Sequence, residues 1–107
     1  MTQQFGQFNS NVILRNVRAV SIATQATTDD GLIICSADVA ITLPDATQKP
    51  GFWIAVKSTA FGDQPGVVGL GAQTIDGAPS ASLTAQNSCL VFMSDGANWQ
   101  IIAEYNV

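Results

Sequence analysis

The side chains of this chain that could perform acid-base or nucleophilic chemistry are eight carboxylates and two cysteines, because its 107 residues include no histidine. Histidine is the usual general base near neutral pH and the commonest nitrogen ligand of metals. Most of the carboxylates stand in sequence typical of turns, at Asp29, Asp30, Asp63, Asp76 and Asp95. Turn formation by Asx side chains accounts for each of these and is favoured over a carboxylate pair for glycoside hydrolysis.

Other binding or catalytic motifs are no better supported. Asp29 and Asp30 are the only adjacent carboxylates, and they lack the alternating acidic spacing of a calcium loop. Residues 69–71 read Gly-Leu-Gly but lack the lysine and the helix of a phosphate-binding loop. We therefore predict no catalytic residue, no metal, no cofactor and no enzymatic activity.

The two cysteines are predicted to be structural. Neither Cys35 nor Cys89 has a histidine or a neighbouring cation in the sequence that would activate a thiol nucleophile. Both lie inside apolar runs, which favours two buried free thiols. A disulfide is the alternative, and it requires that the two strands be neighbours.

The elements that must position these side chains are β-strands. Residues 90–94 and 98–102 flank Asp-Gly-Ala at 95–97, which predicts a β-hairpin because glycine accepts a positive φ. Along the whole chain, and including these two, about eight short strand-like runs recur at spacings of about ten residues. The sequence predicts an all-β protein, a single small β-sandwich or jelly-roll-like domain with an N-terminal arm. Residues 1–27 would form the arm and the first strand or strands, and residues 28–107 the sandwich.

Individual strands carry more specific expectations. Residues 32–35 form a continuous apolar run typical of a strand buried on both faces, and residues 39–43 are predicted to be its alternating partner. Trp53 and Trp99 are candidates for an aromatic platform that binds a sugar or a protein. Trp99, however, shares a face of its strand with Ile101, which favours packing in the core.

The N-terminal arm supplies the candidate partner-binding residues. Residues 1–10 are polar apart from the isolated Phe5 and Phe8. Disorder is the commoner outcome for such a terminus, and docking of the two rings on a neighbouring subunit is the alternative. Arg15 and Arg18 are predicted on the solvent side of the first strand, where they would help the arm to hold a partner.

The composition points to contacts with protein. Charged residues make up 11% of the chain, against about 25% on average, and apolar residues reach 47%. A net charge of −4 gives no cationic surface for nucleic acid. No apolar run approaches the roughly 20 residues that cross a bilayer, and the N-terminus lacks the features of a secretory signal. We expect synthesis in the cytosol, no membrane contact, and self-association through apolar surface that a small core cannot bury.

A series of short sequence segments, taken in order, resembles a known family. The segments are residues 41–46 (Ile-Thr-Leu-Pro-Asp-Ala), 56–57 (Val-Lys), 74–77 (Thr-Ile-Asp-Gly), 82–84 (Ser-Leu-Thr), 90–96 and 98–102. In this order and at these spacings the chain resembles a β-sandwich module of tailed-bacteriophage virion proteins, which recurs in tail fibres, spikes and capsid decoration proteins. The resemblance covers about residues 28–103 and leaves residues 1–27 outside it.

The resemblance implies a virion structural module, usually trimeric, that performs no chemistry. A chain running only from Met1 to Val107 leaves no room for a fibre shaft, so a capsid decoration or cement protein is the expected function. Its partners would be copies of itself and the major capsid protein or another virion protein. The alternative is a tail fibre or spike tip that binds the host surface. In either case the expected location is the virion, after synthesis in the host cytoplasm.

Overall fold

The protein is built from nine described β-strands. A computed structural model describes residues 15–60 and 65–105. The strands are β1 (Asn16–Val20), β2 (Thr24–Gln25), β3 (Asp30–Cys35), β4 (Ala40–Thr42), β5 (Trp53–Ser58), β6 (Gly66–Val68), β7 (Ser80–Ser82), β8 (Cys89–Ser94) and β9 (Trp99–Tyr105). The described residues contain no helix, and the predicted all-β class is confirmed.

The strands form two sheets around which the chain is wound. The five-stranded sheet has the order β9-β8-β5-β3-β1, and the four-stranded sheet has the order β2-β4-β6-β7. Over the first six strands the chain alternates between the sheets, so β1, β3 and β5 pair in parallel and β2, β4 and β6 do the same. β7 then pairs antiparallel with β6, and β8 pairs antiparallel with both β5 and β9. The first six strands thus make three turns around the core, and the last three strands complete the two sheets with antiparallel pairing.

The hydrophobic core lies between the two sheets. Its buried cluster combines Ile41 and Val67 of the four-stranded sheet with alternate residues of the other sheet, namely Ile33, Cys35, Ile54, Val56, Leu90, Phe92 and Trp99. Trp99 is only 1% exposed. Its ring packs edge-to-face on Phe52 at a centroid distance of 6.2 Å, and its Nε1–H donates to the Pro44 carbonyl oxygen at 3.2 Å. The prediction that Trp99 packs in the core is confirmed.

The predicted closing hairpin is also present. β8 and β9 pair antiparallel from Ser94 and Trp99 at the loop to Cys89 and Tyr105 at the far end. Within the loop the Asp95 carboxylate accepts hydrogen bonds from the backbone N–H groups of Ala97 and Asn98 at 2.9 and 2.8 Å. Gly96 has a φ of 97°, a conformation that a residue with a Cβ adopts only with strain. The local sequence therefore determines this turn.

The predicted pairing of residues 39–43 with residues 32–35 is wrong. β4 lies in the four-stranded sheet between β2 and β6, whereas β3 lies in the other sheet between β1 and β5. The chain crosses from one sheet to the other between Cys35 and Ala40, so neighbours in sequence are not neighbours in a sheet. Residues 32–35 are also fully buried on one face only, because Ile33 and Cys35 are buried while Leu32 and Ile34 are half-exposed.

Both cysteines are free thiols, as predicted. Cys35 lies in β3 and faces the core, whereas Cys89 lies in β8 and is half-buried. β5 separates the two strands, which places them about 10 Å apart, too far for a disulfide. Burial raises the pKa of the Cys35 thiol to about 11. Burial also raises the pKa of the Cys89 thiol, while the nearby Lys57 ammonium opposes that shift.

The Cys35 thiol should make folding less favourable in alkali. In the unfolded chain the thiol ionises near its ordinary pKa of about 8.5, while the folded protein retains the proton up to a pKa of about 11. The contribution of the Cys35 thiol to the free energy of unfolding is therefore fully present below about pH 8.5. It is lost as the pH rises towards 11, which lowers stability by at most about 3 kcal/mol. Urea unfolding at a series of pH values measures this slope. Cys35→Ala should flatten it, and an unchanged slope in that variant would contradict the assignment.

Candidate interaction surfaces

The first candidate site is the side of the five-stranded sheet that faces away from the core. Residues paired across neighbouring strands point to the same side of a sheet, so the ladder registers define this set. We call it the outer face; its residues are Val17, Ala19, Leu32, Ile34, Trp53, Ala55, Lys57, Cys89, Val91, Met93, Gln100, Ala103 and Tyr105. Eleven of these thirteen side chains are apolar or aromatic, and Lys57 alone is charged.

The described residues leave much of the outer face accessible to solvent, although the Arg15 guanidinium lies over the Trp53 ring at one end of it. Val17 is 67% exposed, Tyr105 60% and Trp53 47%. Leu32, Ile34, Val91 and Met93 are half-exposed, and only the small Ala55 is buried, between Leu32 on β3 and Val91 on β8. A sheet in contact with water on one side normally alternates apolar and polar residues along its strands. The outer face therefore has the chemistry of a surface that another molecule covers.

The four-stranded sheet makes a different surface. Its outward positions are small or polar on most strands, being Gln25, Ala40, Thr42, Gly66, Val68, Ser80 and Ser82. Its inward positions include the buried Ile41 and Val67. The two outer surfaces thus differ although the sheets share one core, and the apolar excess of the composition is concentrated on one of them.

The second candidate site is a groove of about 850 Å³ at the end of the five-stranded sheet where β1, β3 and β5 begin. We call it the Arg15 groove. Its walls include Arg15, Asn16, Thr28, Asp29, Lys49, Phe52 and Trp53. The central carbon of the Arg15 guanidinium lies 4.5 Å from the centroid of the Phe52 ring and 4.6 Å from that of Trp53. The cation is therefore held against two aromatic faces.

A glycine lets Arg15 reach across β3 to β5. The β1–β3 register shifts between Asn16 and Val17, whose partners are Asp30 and Leu32, so Gly31 is the unpaired residue of a bulge. A Cβ at Gly31 would lie 3.1 Å from the Cβ of Arg15 and 3.7 Å from its Nε. The absent side chain leaves the space in which Arg15 lies, and the bulge thereby shapes the groove.

Arg15 is held partly out of water without a charged partner. Its Nη2 is buried and has no hydrogen-bond acceptor among the described residues. Burial lowers the pKa of the guanidinium from its ordinary value. Asp29 lines the same groove, yet it forms no ion pair with Arg15 within the described parts of the chain. The groove therefore presents a positive charge that no described residue neutralises.

Arg18 has a structural contact. Its Nη2 donates to Asp30 Oδ2 at 2.8 Å, and the Asp30 side chain is only 2% exposed. The same carboxylate oxygen accepts the backbone N–H of Thr27 at 2.9 Å. Arg18 Nη2 also donates to the carbonyl oxygen of Gln25 in β2 at 3.2 Å. The network therefore joins β1, the first described strand of the five-stranded sheet, to β2, the first described strand of the four-stranded sheet.

The structure thus separates the four residues predicted to bind a partner. Phe5 and Phe8 lie outside the described residues. Arg15, predicted on the solvent side of the strand, lies against Phe52 and Trp53 in the groove. Arg18 is occupied by the buried Asp30. Sequence reasoning did not identify the outer face, although the apolar residues at 32 and 34 that led to a prediction of two-sided burial signalled it.

The carboxylates in turns mostly accept hydrogen bonds from nearby backbone. Hydrogen bonds from the Thr47 backbone, the Gln73 side chain and the Thr47 hydroxyl lower the pKa of Asp45. Hydrogen bonds from the Asn98 backbone and the Gln100 side chain lower the pKa of Asp95. Asp76 Oδ1 accepts the backbone N–H of Ile101 at 2.9 Å. Asp45 and Asp95 thus hold local turns, as the sequence predicts for Asp95, whereas Asp76 joins its turn to β9.

Two further structural properties bear on function. Within residues 15–60 and 65–105, no three side chains of histidine, cysteine, aspartate or glutamate converge in a way that would hold a metal ion. The same residues include no helix that is long and apolar enough to cross a membrane.

Comparisons with known proteins leave the two surfaces as the basis for function. No protein-family model matches the chain, and no curated protein or solved structure is significantly similar to it.

Proposed function

We propose that the protein is a structural component of a tailed-bacteriophage virion, a capsid decoration protein that assembles as a homotrimer and reinforces the shell. Its partners are copies of itself and the major capsid protein or another virion protein, and it acts without catalysis or a cofactor. It is made in the host cytoplasm and functions in the virion. The apolar outer face is the observation that carries the proposal, and the resemblance described above supplies the viral setting.

The sequence of β3 supports association through the outer face. Parallel strands with covered faces read as continuous apolar runs, because water meets neither side of the sheet. Leu32, Ile33 and Ile34 form such a run, but Leu32 and Ile34 are half-exposed in a single copy. Contact with another copy would bury these two side chains, and the pattern of β3 would then agree with its surroundings.

The size of the face fits an interface between copies. Five strands at about 4.8 Å spacing and about 17 Å length give a footprint of roughly 400 Å² before side-chain relief is counted. The largest apolar patch of a typical monomer is about 300–600 Å² and is often functional. A stable interface buries about 800 Å² per partner, so the sheet footprint supplies about half of that area and residues around the edge of the face would have to supply the rest.

Three copies with their outer faces turned towards a common axis would enclose these apolar surfaces in a closed assembly. Closed symmetry ends association at a defined number of copies, as a decoration protein requires. The small and polar positions of the four-stranded sheet would remain outside, available for hydrogen bonds to a capsid surface. Phe5 and Phe8 of the arm are the proposed additional contacts with a neighbouring subunit.

Copy number in virions tests the decoration function. We expect quantitative mass spectrometry of purified particles to find many copies, in a ratio to the major capsid protein fixed by the lattice. Particles lacking the protein should open at a lower temperature, because contacts across the shell have been removed. Absence of the protein from virions would contradict the proposal, as would an unchanged opening temperature.

The Arg15 groove favours a second candidate, a tail fibre or spike tip that binds the host surface. Trp53 is exposed beside Arg15 and Lys49 in a groove of about 850 Å³, which lies within the usual range for ligand sites of about 300–1,000 Å³. This candidate predicts few copies per virion and binding of the isolated protein to host cells. The same mass-spectrometric count therefore separates the two functions.

A further inference from the structure

We propose that the Arg15 groove binds an acidic saccharide, with a sugar ring against Trp53 and a sugar carboxylate beside Lys49 and Arg15. The inference shares its groove with the host-binding candidate and does not depend on decoration of a capsid. Because Trp53 also belongs to the outer face, it requires that Trp53, at the end of the sheet, lie at the rim of the interface between copies, where its ring stays accessible.

The charge of the groove differs from that of the whole chain. The protein has a net charge of −4 and only four cationic side chains, yet two of the four, Arg15 and Lys49, line this groove with a single carboxylate, Asp29. Within the described residues neither cation forms an ion pair. A saccharide that carries one negative charge per sugar would be attracted by these two cations. The negative net charge of the whole chain, in contrast, disfavours densely charged polyphosphates.

The buried Nη2 of Arg15 supports the same conclusion. Unpartnered buried donors are rare in folded proteins, and each calls for an acceptor. Contact of Arg15 with the Phe52 and Trp53 rings holds the guanidinium at the wall of the groove. A carboxylate entering the groove would provide a negative charge for the cation and, after a small shift of the side chain, an acceptor for Nη2.

The remaining walls favour a sugar over other organic acids. Sugar hydroxyls donate and accept hydrogen bonds, and the groove provides the Asn16 amide, the Thr28 hydroxyl and the Asp29 carboxylate. The C–H groups on one face of a pyranose pack against aromatic rings. Trp53 is 47% exposed, so the part of its ring that Arg15 does not cover can make this contact. A simple aliphatic acid would use the cations but neither the ring nor the hydroxyl partners.

Nuclear magnetic resonance of the two indole N–H groups tests the proposal. Trp53 is exposed in the groove and Trp99 is buried, so a ligand in the groove should shift the Trp53 resonance and leave that of Trp99 almost unchanged. The probe is trigalacturonate, and the matched control is its methyl ester, which has the same rings without charge. We expect saturable shifts with the acid below about 10 mM and at least about tenfold weaker binding of the ester.

Two lysines of the five-stranded sheet region provide matched variants. Lys49 lines the groove, whereas Lys57 lies on the outer face at the far end of β5 from Trp53. In the Val91→Glu background, where Lys57 no longer contributes to assembly, Lys49→Glu should weaken trigalacturonate binding at least about tenfold at low salt, and Lys57→Glu should change it less than about twofold. Both variants alter net charge equally, so a difference between them locates the site.

Each contrary outcome overturns a stated part of the proposal. Absence of a Trp53 shift, or equal binding of acid and ester, overturns the acidic ligand. Equal effects of the two lysine variants overturn the location, and tighter binding of a short single-stranded DNA than of the uronate overturns the sugar class. Repeating the titration with a variant that does not self-associate, Val91→Glu, separates this inference from the assembly proposal, because sugar binding then fails or succeeds independently of oligomerisation.

Discussion

Val91→Glu should convert the protein from an oligomer into a monomer. Val91 lies in β8 at the centre of the outer face, with Ala55 on one side and Ala103 on the other. A carboxylate there costs less in a single copy than in the assembly, because the Val91 side chain is partly exposed. In the assembly it would be buried against apolar side chains, and an uncompensated buried charge disfavours association by several kcal/mol. We expect the dissociation constant to rise at least about 100-fold, which corresponds to about 2.7 kcal/mol.

Sedimentation equilibrium of the two proteins measures this effect directly. The matched control is Ser80→Glu, which places the same charge on the exposed outer side of the four-stranded sheet and should leave the oligomer intact. A Val91→Glu protein that sediments like the wild type would show that the outer face is not the interface between copies. A wild-type protein that is monomeric at all accessible concentrations would contradict the assembly proposal itself, whereas a dimer would preserve the interface and correct the number of copies.

The outer face also shows which parts of the fold the sequence determines locally. The Asp95-Gly96 turn and the side of β9 that carries Trp99 are encoded within a few residues, and both were predicted correctly. The parallel pairing of β1 with β3, and of β3 with β5, joins residues 14 to 23 positions apart, as in the pairs Asn16–Asp30 and Leu32–Ala55. No local pattern specifies such partners. The sequence therefore predicted the strands, and burial of residues 32–35 on both faces, but not the alternation between the two sheets that makes these strands neighbours.

The Arg15 groove could not be predicted for a related reason. It depends on three separate departures from regular structure, since Arg15 precedes β1, Gly31 forms a bulge, and Lys49 belongs to the loop before β5. In the sequence Arg15 and Arg18 look equivalent, as two arginines near one strand. Asp30 pairs with Arg18 alone, because the bulge next to Asp30 changes which side chains of the first strand can reach it. The different environments of the two arginines thus follow from the irregular register.

Replacement of Trp99 by alanine should cost about 3–5 kcal/mol of stability, the range measured for large aromatic residues truncated in cores. The variant would lose the packing of the indole against Phe52 and would leave the Pro44 carbonyl oxygen without its donor at 3.2 Å. Domains of this size are stable by only about 5–15 kcal/mol, so the alanine variant should be close to unfolding at 37 °C. Urea denaturation monitored by circular dichroism gives the free energy of unfolding.

Trp53→Ala is the matched control for this prediction, because both changes remove the same side chain. Trp53 is 47% exposed against 1% for Trp99, and its loss removes mainly surface contacts and the cation–π contact with Arg15, about 1 kcal/mol together. Both variants should be compared in a Val91→Glu background, where self-association does not contribute to stability. Should Trp99→Ala fail to fold, Trp99→Phe retains a ring without the Nε1–H and should lose about 1–3 kcal/mol. Equal losses at the two tryptophans would mean that the core is not organised around Trp99, since Trp99 alone of the two is buried and donates to the Pro44 carbonyl oxygen.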